Sequence, residues 1–330
     1  MILQKKPHYP SLTLVDNQKI WDSAEHNAFT DLLFTQNKWF CIFREGSGHI
    51  SPDGSLRVLQ SIDGKKWESA ALLQHPQADL RDGKLSISPE GRLMICAGAA
   101  WNNIEDHTHQ TMIWFSENGV DWEGPQEVGD PDFWIWRPVW HKERAWGAAY
   151  DCRRGKAEYL YAGTLASNKS ASASSTPDHD NQIVFERVGK NLCSRQFPNE
   201  ASLAFYEDTL YCVLRRDWKS ATALIGKAAP PYTHWKWKNL KIRIGGPNMI
   251  ILPNGLLLAA VRLYKPKAHT SLCWIDEKKG KLVQALALPS RGDTSYAGMV
   301  LQENMLYLSY YSSHEGKTAI YTAKVVIQTD

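Results

Sequence analysis

The sequence has no basic run, no long apolar run and no paired cysteines, and each absence removes a class of function. Lys and Arg (38) nearly balance Asp and Glu (35), leaving a net charge of +3. The lysines are scattered rather than gathered on a face that could follow a phosphate backbone, so no nucleic-acid partner is expected. No apolar stretch approaches the roughly 20 residues that span a bilayer, so no membrane partner is expected either. The opening residues, MILQKKPHYP, lack the apolar stretch and small-residue cleavage site of a secretory signal. The expectation is a cytoplasmic protein. Cys41, Cys96, Cys152, Cys193, Cys212 and Cys273 lie far apart with no CxxC pair, and several sit in apolar runs. They read as reduced, mostly buried thiols. HExxH and Cys/His clusters for zinc, GxxxxGK[ST] for nucleotides and GxSxG for serine hydrolysis are also missing. No metal and no cofactor is expected.

Aromatic residues are abundant instead: 14 Trp and 13 Tyr in 330 residues, of which 43% are hydrophobic and 22% charged. Such a chain can bury a large core. Trp serves two purposes in this setting, wedging structural units together and stacking on the C–H faces of sugars, and packing is the commoner.

A hairpin recurs along the chain. It reads FTDLLFTQNKWFCIFREG, then KLSISPEGRLMICAGAA, RPVWHKERAWGAAYD, NEASLAFYEDTLYCVLRRD, PNMIILPNGLLLAAVRLY and YAGMVLQENMLYLSYYSS. Each is an apolar strand, a short polar or Gly-containing turn and a second apolar strand. The first strands begin near Asp31, Asp82, Arg137, Glu200, Asn248 and Tyr296, about 50 residues apart, a period that marks propeller blades. The segment SLTLVDNQKIW near the N-terminus is expected to pair with the last blade and close the ring. Residues 166–182, ASNKSASASSTPDHDNQ, are Ser-rich and read as a polar surface loop.

Two further turns repeat one another. Ser61-Ile62-Asp63-Gly64-Lys65-Lys66-Trp67 matches Ser116-Glu117-Asn118-Gly119-Val120-Asp121-Trp122. Gly supplies positive φ, Asp or Asn closes the turn, and Trp packs back beneath it. These turns resemble a one-residue-shorter form of the Asp-box, the S-x-D-x-G-x-x-W motif of sialidase and BNR-repeat propellers. The resemblance implies an all-β chain, one six-bladed β-propeller of the sialidase type over residues 1–330.

In antiparallel hairpins the start of the first strand and the end of the second share a rim. The starts bring Asp31, Asp82, Arg137, Glu200, Asn248 and Tyr296; the ends bring Arg44-Glu45, Asp151, Arg215-Arg216, Arg262 and Tyr310-Tyr311. A rim of Arg, Asp, Glu and Tyr suits an anionic sugar, because the Arg fork pairs a carboxylate bidentately.

The last hairpins resemble sialidases most closely. In that family a Glu opens a blade, a carboxylate-binding Arg follows about 15 positions later, and a nucleophilic Tyr opens the last blade. The resemblance implies Tyr296 as nucleophile, Glu200 as its base, and Arg215, Arg216 and Arg262 as substrate-binding residues. It implies an exo-acting glycosidase for a terminal acidic sugar on an oligosaccharide or glycoconjugate. The family's first-blade Arg is missing: Phe29-Thr30-Asp31 stands there, leaving Arg44, Arg81 or Arg137 to complete the arginine group. The acid/base Asp of the family lies in a loop that reads EGSGHISPDGSLR in this chain, offering His49 and Asp53. Asp82 is a further candidate on the rim. Asp31, Asp82 and Glu200 could alternatively form a two-carboxylate set for a neutral or uronic sugar. A propeller that only binds a glycan or protein is the reading from another class.

Overall fold

The computed structural model describes residues 9–102, 108–155, 157–166 and 182–328. Twenty-four strands among them form six antiparallel sheets of four. The innermost strand of each sheet is His26–Thr35, Ala78–Ile87, Phe133–His141, Pro198–Tyr206, Gly245–Ile251 or Thr294–Gln302, opening blades 1 to 6 in chain order. Inner strands are covered on both faces, which is why they read as near-continuous apolar runs such as LMICAGAAW (Leu93–Trp101). Outer strands such as Ile183–Cys193 alternate buried and exposed residues. This is a six-bladed β-propeller. As expected, Ser11–Trp21 completes blade 6, pairing antiparallel with Ala319–Gln328 and joining the two ends of the ring.

Apolar wedges fill the gaps between blades. Leu258, Ala260 and Trp274 of blade 5 meet Ala297, Leu308 and Tyr310 of blade 6. Phe40, Ile42 and Val58 of blade 1 meet Leu80, Ile95 and Ala97 of blade 2. Small residues let the sheets approach: a Cβ on Gly98 would lie 2.0 Å from the Trp134 ring. Trp39, Trp114, Trp134, Trp136, Trp146 and Trp274 are all buried. Packing is their role. All six cysteines are free thiols, four of them buried. Among the described residues no helix is long and apolar enough to cross a membrane. Residues 167–181, the body of the polar loop, lie outside the described residues.

The two matching turns share their central hydrogen bonds. Asp63 Oδ1 accepts from the backbone N–H of Lys65 and Lys66, each at 2.8 Å. Asn118 Oδ1 accepts from Val120 and Asp121 at 2.8 and 2.9 Å. In each, the Ser hydroxyl accepts from the Gly N–H, and that Gly has φ +66 or +77.

Every innermost strand carries a register shift near its start, between Ala28 and Asp31, Arg81 and Lys84, Trp136 and Val139, Pro198 and Ala201, Gly245 and Asn248, and Ser295 and Gly298. Such bulges re-aim side chains. With the period-2 alternation of strands, they line up Phe29, Asp82, Arg137, Glu200, Gly246 and Tyr296 as one rim ring. Two residues deeper lie Asp31, Lys84, Val139, Ser202, Asn248 and Gly298. The deeper alignment shows in its bonds: Asp31 Oδ2 takes the N–H of Leu85, and Ser202 Oγ takes that of Met249, both at 2.9 Å. Asp31 and Asn248 therefore do not sit on the rim, as simple strand alignment placed them; Phe29 and Gly246 do.

Phe29, Asp82, Arg137 and Tyr296 hold left-handed φ values of 63°, 54°, 41° and 53°. Each such residue costs roughly 1–2 kcal/mol, a strain that accumulates where side chains must be aimed for function.

Candidate active site

Glu200 and Tyr296 come from rim positions two blades apart and meet. Tyr296 Oη donates to Glu200 Oε1 at 2.5 Å. Arg215 Nη1 lies 2.5 Å from the same oxygen, and the N–H of Gly246 donates to Glu200 Oε2 at 2.9 Å. Burial pushes the Glu200 carboxyl up, but the Arg215 charge and the hydrogen bonds from Tyr296, Arg215 and Gly246 outweigh it and hold it below its ordinary value. Tyr296 moves the other way: burial, then the Glu200 charge, raise its phenol well above 10. The pair is thus a neutral phenol beside an ionised carboxylate.

Tyr296 has little freedom. Its ring meets Phe29 edge-on, centroids 5.1 Å apart, and Trp136 at 5.9 Å. The Arg262 guanidinium lies over it, 5.6 Å from the centroid. Gly246 packs on the ring so closely that a Cβ there would lie 2.7 Å from Tyr296 Cδ2.

Arg215 and Arg262 are the two arginines beside the Tyr296 ring and hydroxyl. Arg215 Nη2 also bonds Asp217 at 2.6 Å. Arg262 donates to Thr294 O at 2.7 Å and, through Nη2, to Tyr311 Oη at 2.9 Å and Asp293 Oδ1 at 3.1 Å. Asp293 also accepts from Tyr311 at 2.6 Å and faces His49 Nδ1 at 2.9 Å and His26 Nε2 at 3.3 Å, both at Oδ2. Burial raises the Asp293 carboxyl, but His26, His49 and Tyr311 together with the Arg262 charge hold it well below the usual carboxylate range.

The other arginines and Asp31 are engaged elsewhere. Arg44 is fully buried; it pairs with Asp79 Oδ1 at 2.6 Å and bonds Gly48 O and Ser51 Oγ, both at 2.8 Å. Its guanidinium is not available to a ligand. Arg137 pairs with Asp31 Oδ1 at 2.6 Å and donates to Ala297 O at 3.2 Å, tying blade 3 to blades 1 and 6. With Asp31 Oδ2 on the Leu85 N–H, both oxygens of that carboxylate are spoken for. Asp31 and Arg137 are parts of the frame. Arg216 follows Arg215 on a strand and so faces the opposite side, where its Nε donates to Thr222 O at 2.8 Å. Arg81 differs: it meets Asp79 at 3.8 Å, its Nε has no partner among the described residues, and its guanidinium lies over Phe29 at 5.2 Å. It is the loosely held arginine of this wall.

Asp82 is buried, and its Oδ1 has no hydrogen-bond partner among the described residues. Burial pushes its carboxyl up to about 6, with Lys84 and Arg81 opposing and Glu200 adding to the rise. The folded-state value lies above the unfolded one, so ionisation of Asp82 weakens the fold. The stability it contributes is complete below about pH 4 and is lost as pH rises through about 6. Asp82→Asn should therefore be about 3 kcal/mol more stable than the wild type at pH 7.5, the shift from 3.8 to about 6 converted at ~1.4 kcal/mol per unit. At pH 3.5 urea denaturation should give equal stabilities. Asp53, by contrast, closes its own loop, accepting the N–H and hydroxyl of Ser47 at 3.0 Å each. It is a turn residue.

Asp293, Trp136, Asp217 and Asp79 were not singled out from the sequence, whereas Tyr311 was placed on the rim as a strand end. Asp293 stands three residues before Tyr296 in Arg291-Gly292-Asp293, which reads first as a turn.

No protein-family model and no curated protein matches the chain. Solved structures do match. A Dyadobacter fermentans protein of unknown function superposes with a TM-score of 0.79 at 17% identity, over 97% of this chain and 100% of that one. An α-L-arabinofuranosidase from Fusarium graminearum, bound to an iminosugar inhibitor, gives 0.70 at 12% identity, over 95% and 98%. Trypanosoma rangeli sialidase with the inhibitor DANA gives 0.64 at 11%, over 96% of this chain and 60% of the sialidase. The fold is that of the sialidase-type six-bladed propeller. At these identities the likeness is one of fold, and the chemistry has to be read from the residues.

Proposed function

We propose that the chain is an exo-acting glycoside hydrolase that removes a terminal acidic sugar from an oligosaccharide or glycoconjugate, with Tyr296 as nucleophile and Glu200 as its base. The observation that carries this reading is the 2.5 Å bond from Tyr296 Oη to Glu200 Oε1, with Arg215 on the same carboxylate oxygen. A sugar with a carboxylate on its anomeric carbon repels an anionic nucleophile, and a neutral phenol avoids that repulsion. The phenol attacks only if its proton leaves as the new bond forms, and Glu200 is ionised and placed to take it. Arg215 and Arg262 flank the nucleophile, and Arg81, over Phe29, supplies the third cation where sialidases carry their first-blade Arg. Two structural neighbours hydrolyse or bind sugars, a sialidase and an arabinofuranosidase, which supports a glycosidase. The Ser61–Trp67 and Ser116–Trp122 turns are, on this reading, shortened Asp-boxes.

A second reading is favoured by Asp82, whose carboxyl burial pushes up to about 6, into the range of a glycosidase acid. It pairs Asp82 with Glu200 on a neutral or uronic sugar. Fluorogenic exo-glycosides distinguish the two. Turnover of a sialoside or related acidic glycoside supports the Tyr296 mechanism. Turnover of arabinofuranosides or hexuronides alone moves the chemistry to the carboxylates. Silence across the panel contradicts enzymatic function and leaves a glycan-binding propeller.

Gly246→Ala gives a sharper check on the geometry. Its Cβ would displace the Tyr296 ring, and a misplacement of ~1 Å costs on the order of 100-fold in rate. The expected result is a kcat lowered about that much, with KM nearly unchanged.

A further inference from the structure

We propose that His49, oriented by Asp293, is the group that protonates the departing sugar oxygen. The inference rests on the glycosidase reading above. Asp293 is a fixed acceptor: Tyr311 and Arg262 hold Oδ1, at 2.6 and 3.1 Å, and keep the carboxylate pointed at the two histidines. His49 Nδ1 lies 2.9 Å from Asp293 Oδ2. A carboxylate on Nδ1 selects the tautomer and aligns the ring, as the buried Asp of a catalytic triad does.

The other nitrogen of His49, Nε2, has no hydrogen-bond partner among the described residues, and the side chain is 50% exposed. The ring stands edge-on to Phe29, centroids 5.2 Å apart, and Phe29 stands edge-on to Tyr296 at 5.1 Å. His49 is thus half-exposed and separated from the nucleophile by the Phe29 ring alone. The competing groups are placed otherwise. Asp53 is occupied by Ser47, His26 is buried with Nε2 on Asp293, and Asp82 is buried on the rim ring.

The step balances. Tyr296 Oη bonds to the anomeric carbon and its proton passes to Glu200 Oε1. The bond from that carbon to the aglycone oxygen breaks, and this oxygen takes the proton of His49 Nε2. In the second half a water attacks the anomeric carbon and gives a proton to His49 Nε2. Tyr296 leaves and recovers its proton from Glu200. The sum is glycoside plus water giving free sugar plus alcohol.

His26, His49 and Asp293 also lie close enough together to share a metal ion. The Arg262 guanidinium at 3.1 Å from the same carboxylate opposes a second cation and favours the hydrogen-bonded arrangement.

The test compares His49→Ala and His49→Gln with wild type on two glycosides of one sugar, one with an alkyl aglycone and one with 4-methylumbelliferone. A proton donor matters for the poor leaving group and hardly for the activated one. The expected loss in kcat/KM, which reports departure of the aglycone, is about 10²–10³-fold on the alkyl glycoside and under about 10-fold on the activated one. Added azide should restore turnover of the activated substrate in the Ala variant, and EDTA should leave the wild type unchanged. Asp293→Asn should show the same dependence on leaving group in weaker form. Equal losses on both substrates would overturn the inference while leaving the glycosidase reading intact. Loss of wild-type activity to EDTA with recovery on zinc would overturn it in favour of a metal site. A wild type silent on both substrates would overturn the glycosidase reading, and this inference with it.

Discussion

Tyr296→Phe should lower kcat on an acidic glycoside about 10³-fold or more, while the protein folds as before. The substitution removes one oxygen and keeps the ring that packs on Phe29, Trp136 and Gly246. Glu200 keeps its ion pair with Arg215 and its bond from Gly246, so no buried charge is left without a partner. Stability should therefore change by no more than about 1 kcal/mol, the worth of one hydrogen bond. Glu200→Gln should also impair turnover but should weaken the fold as well, because it leaves the Arg215 guanidinium with Asp217 alone. Steady-state kinetics combined with urea denaturation separates the two. If Tyr296→Phe keeps most of its rate, Tyr296 is a packed rim aromatic and not the nucleophile.

Asp79→Ala should destabilise the protein by about 3–5 kcal/mol, the cost of breaking a buried ion pair from one side. Arg44 has no exposed surface, and the backbone is shaped around it. A Cβ on Gly46 would lie 2.8 Å from Arg44 Nη2, and one on Gly54 would lie 1.7 Å from Asp79 Oδ1. Removing Asp79 strands the guanidinium, and neither Gly48 O nor Ser51 can neutralise it. Replacing both partners at once, as Arg44→Met with Asp79→Leu, should recover much of the loss. The observable is the urea midpoint at constant slope. A double variant that is stable but has a raised KM would mean that Arg44 meets the substrate after all.

The fold was legible because its signals are local. Each blade repeats a hairpin of similar length, and the outermost strand of blade 6 is an apolar-alternating run at the other end of the chain. The same locality made Glu200 and Arg215 legible together. They begin and end one hairpin, so a 15-residue spacing returns the chain to the same rim. What could not be read was anything that depends on bulges or on contacts between blades. A one-residue bulge in each innermost strand moves Phe29 onto the rim and sends Asp31 beneath it, and no residue type announces that bulge. The pairing of Arg44 with Asp79 crosses from blade 1 to blade 2. His49 and Asp293 meet across the ring closure, 244 residues apart in sequence. Five arginines, Arg44, Arg137, Arg215, Arg216 and Arg262, looked alike on strand ends and rims. Only packing distinguishes Arg44, sealed inside, and Arg137, locked on Asp31, from Arg215 and Arg262 beside the nucleophile.

The most direct measurement is mass spectrometry of the protein after incubation with 2,3-difluorosialic acid, whose fluorine slows breakdown of a covalent intermediate. Intact protein should gain the mass of one sugar, and the peptide carrying the adduct should contain Tyr296, with no labelling of Tyr296→Phe. An adduct on Glu200 or Asp82 would contradict a tyrosine nucleophile. So would a wild-type protein that hydrolyses acidic glycosides yet forms no adduct.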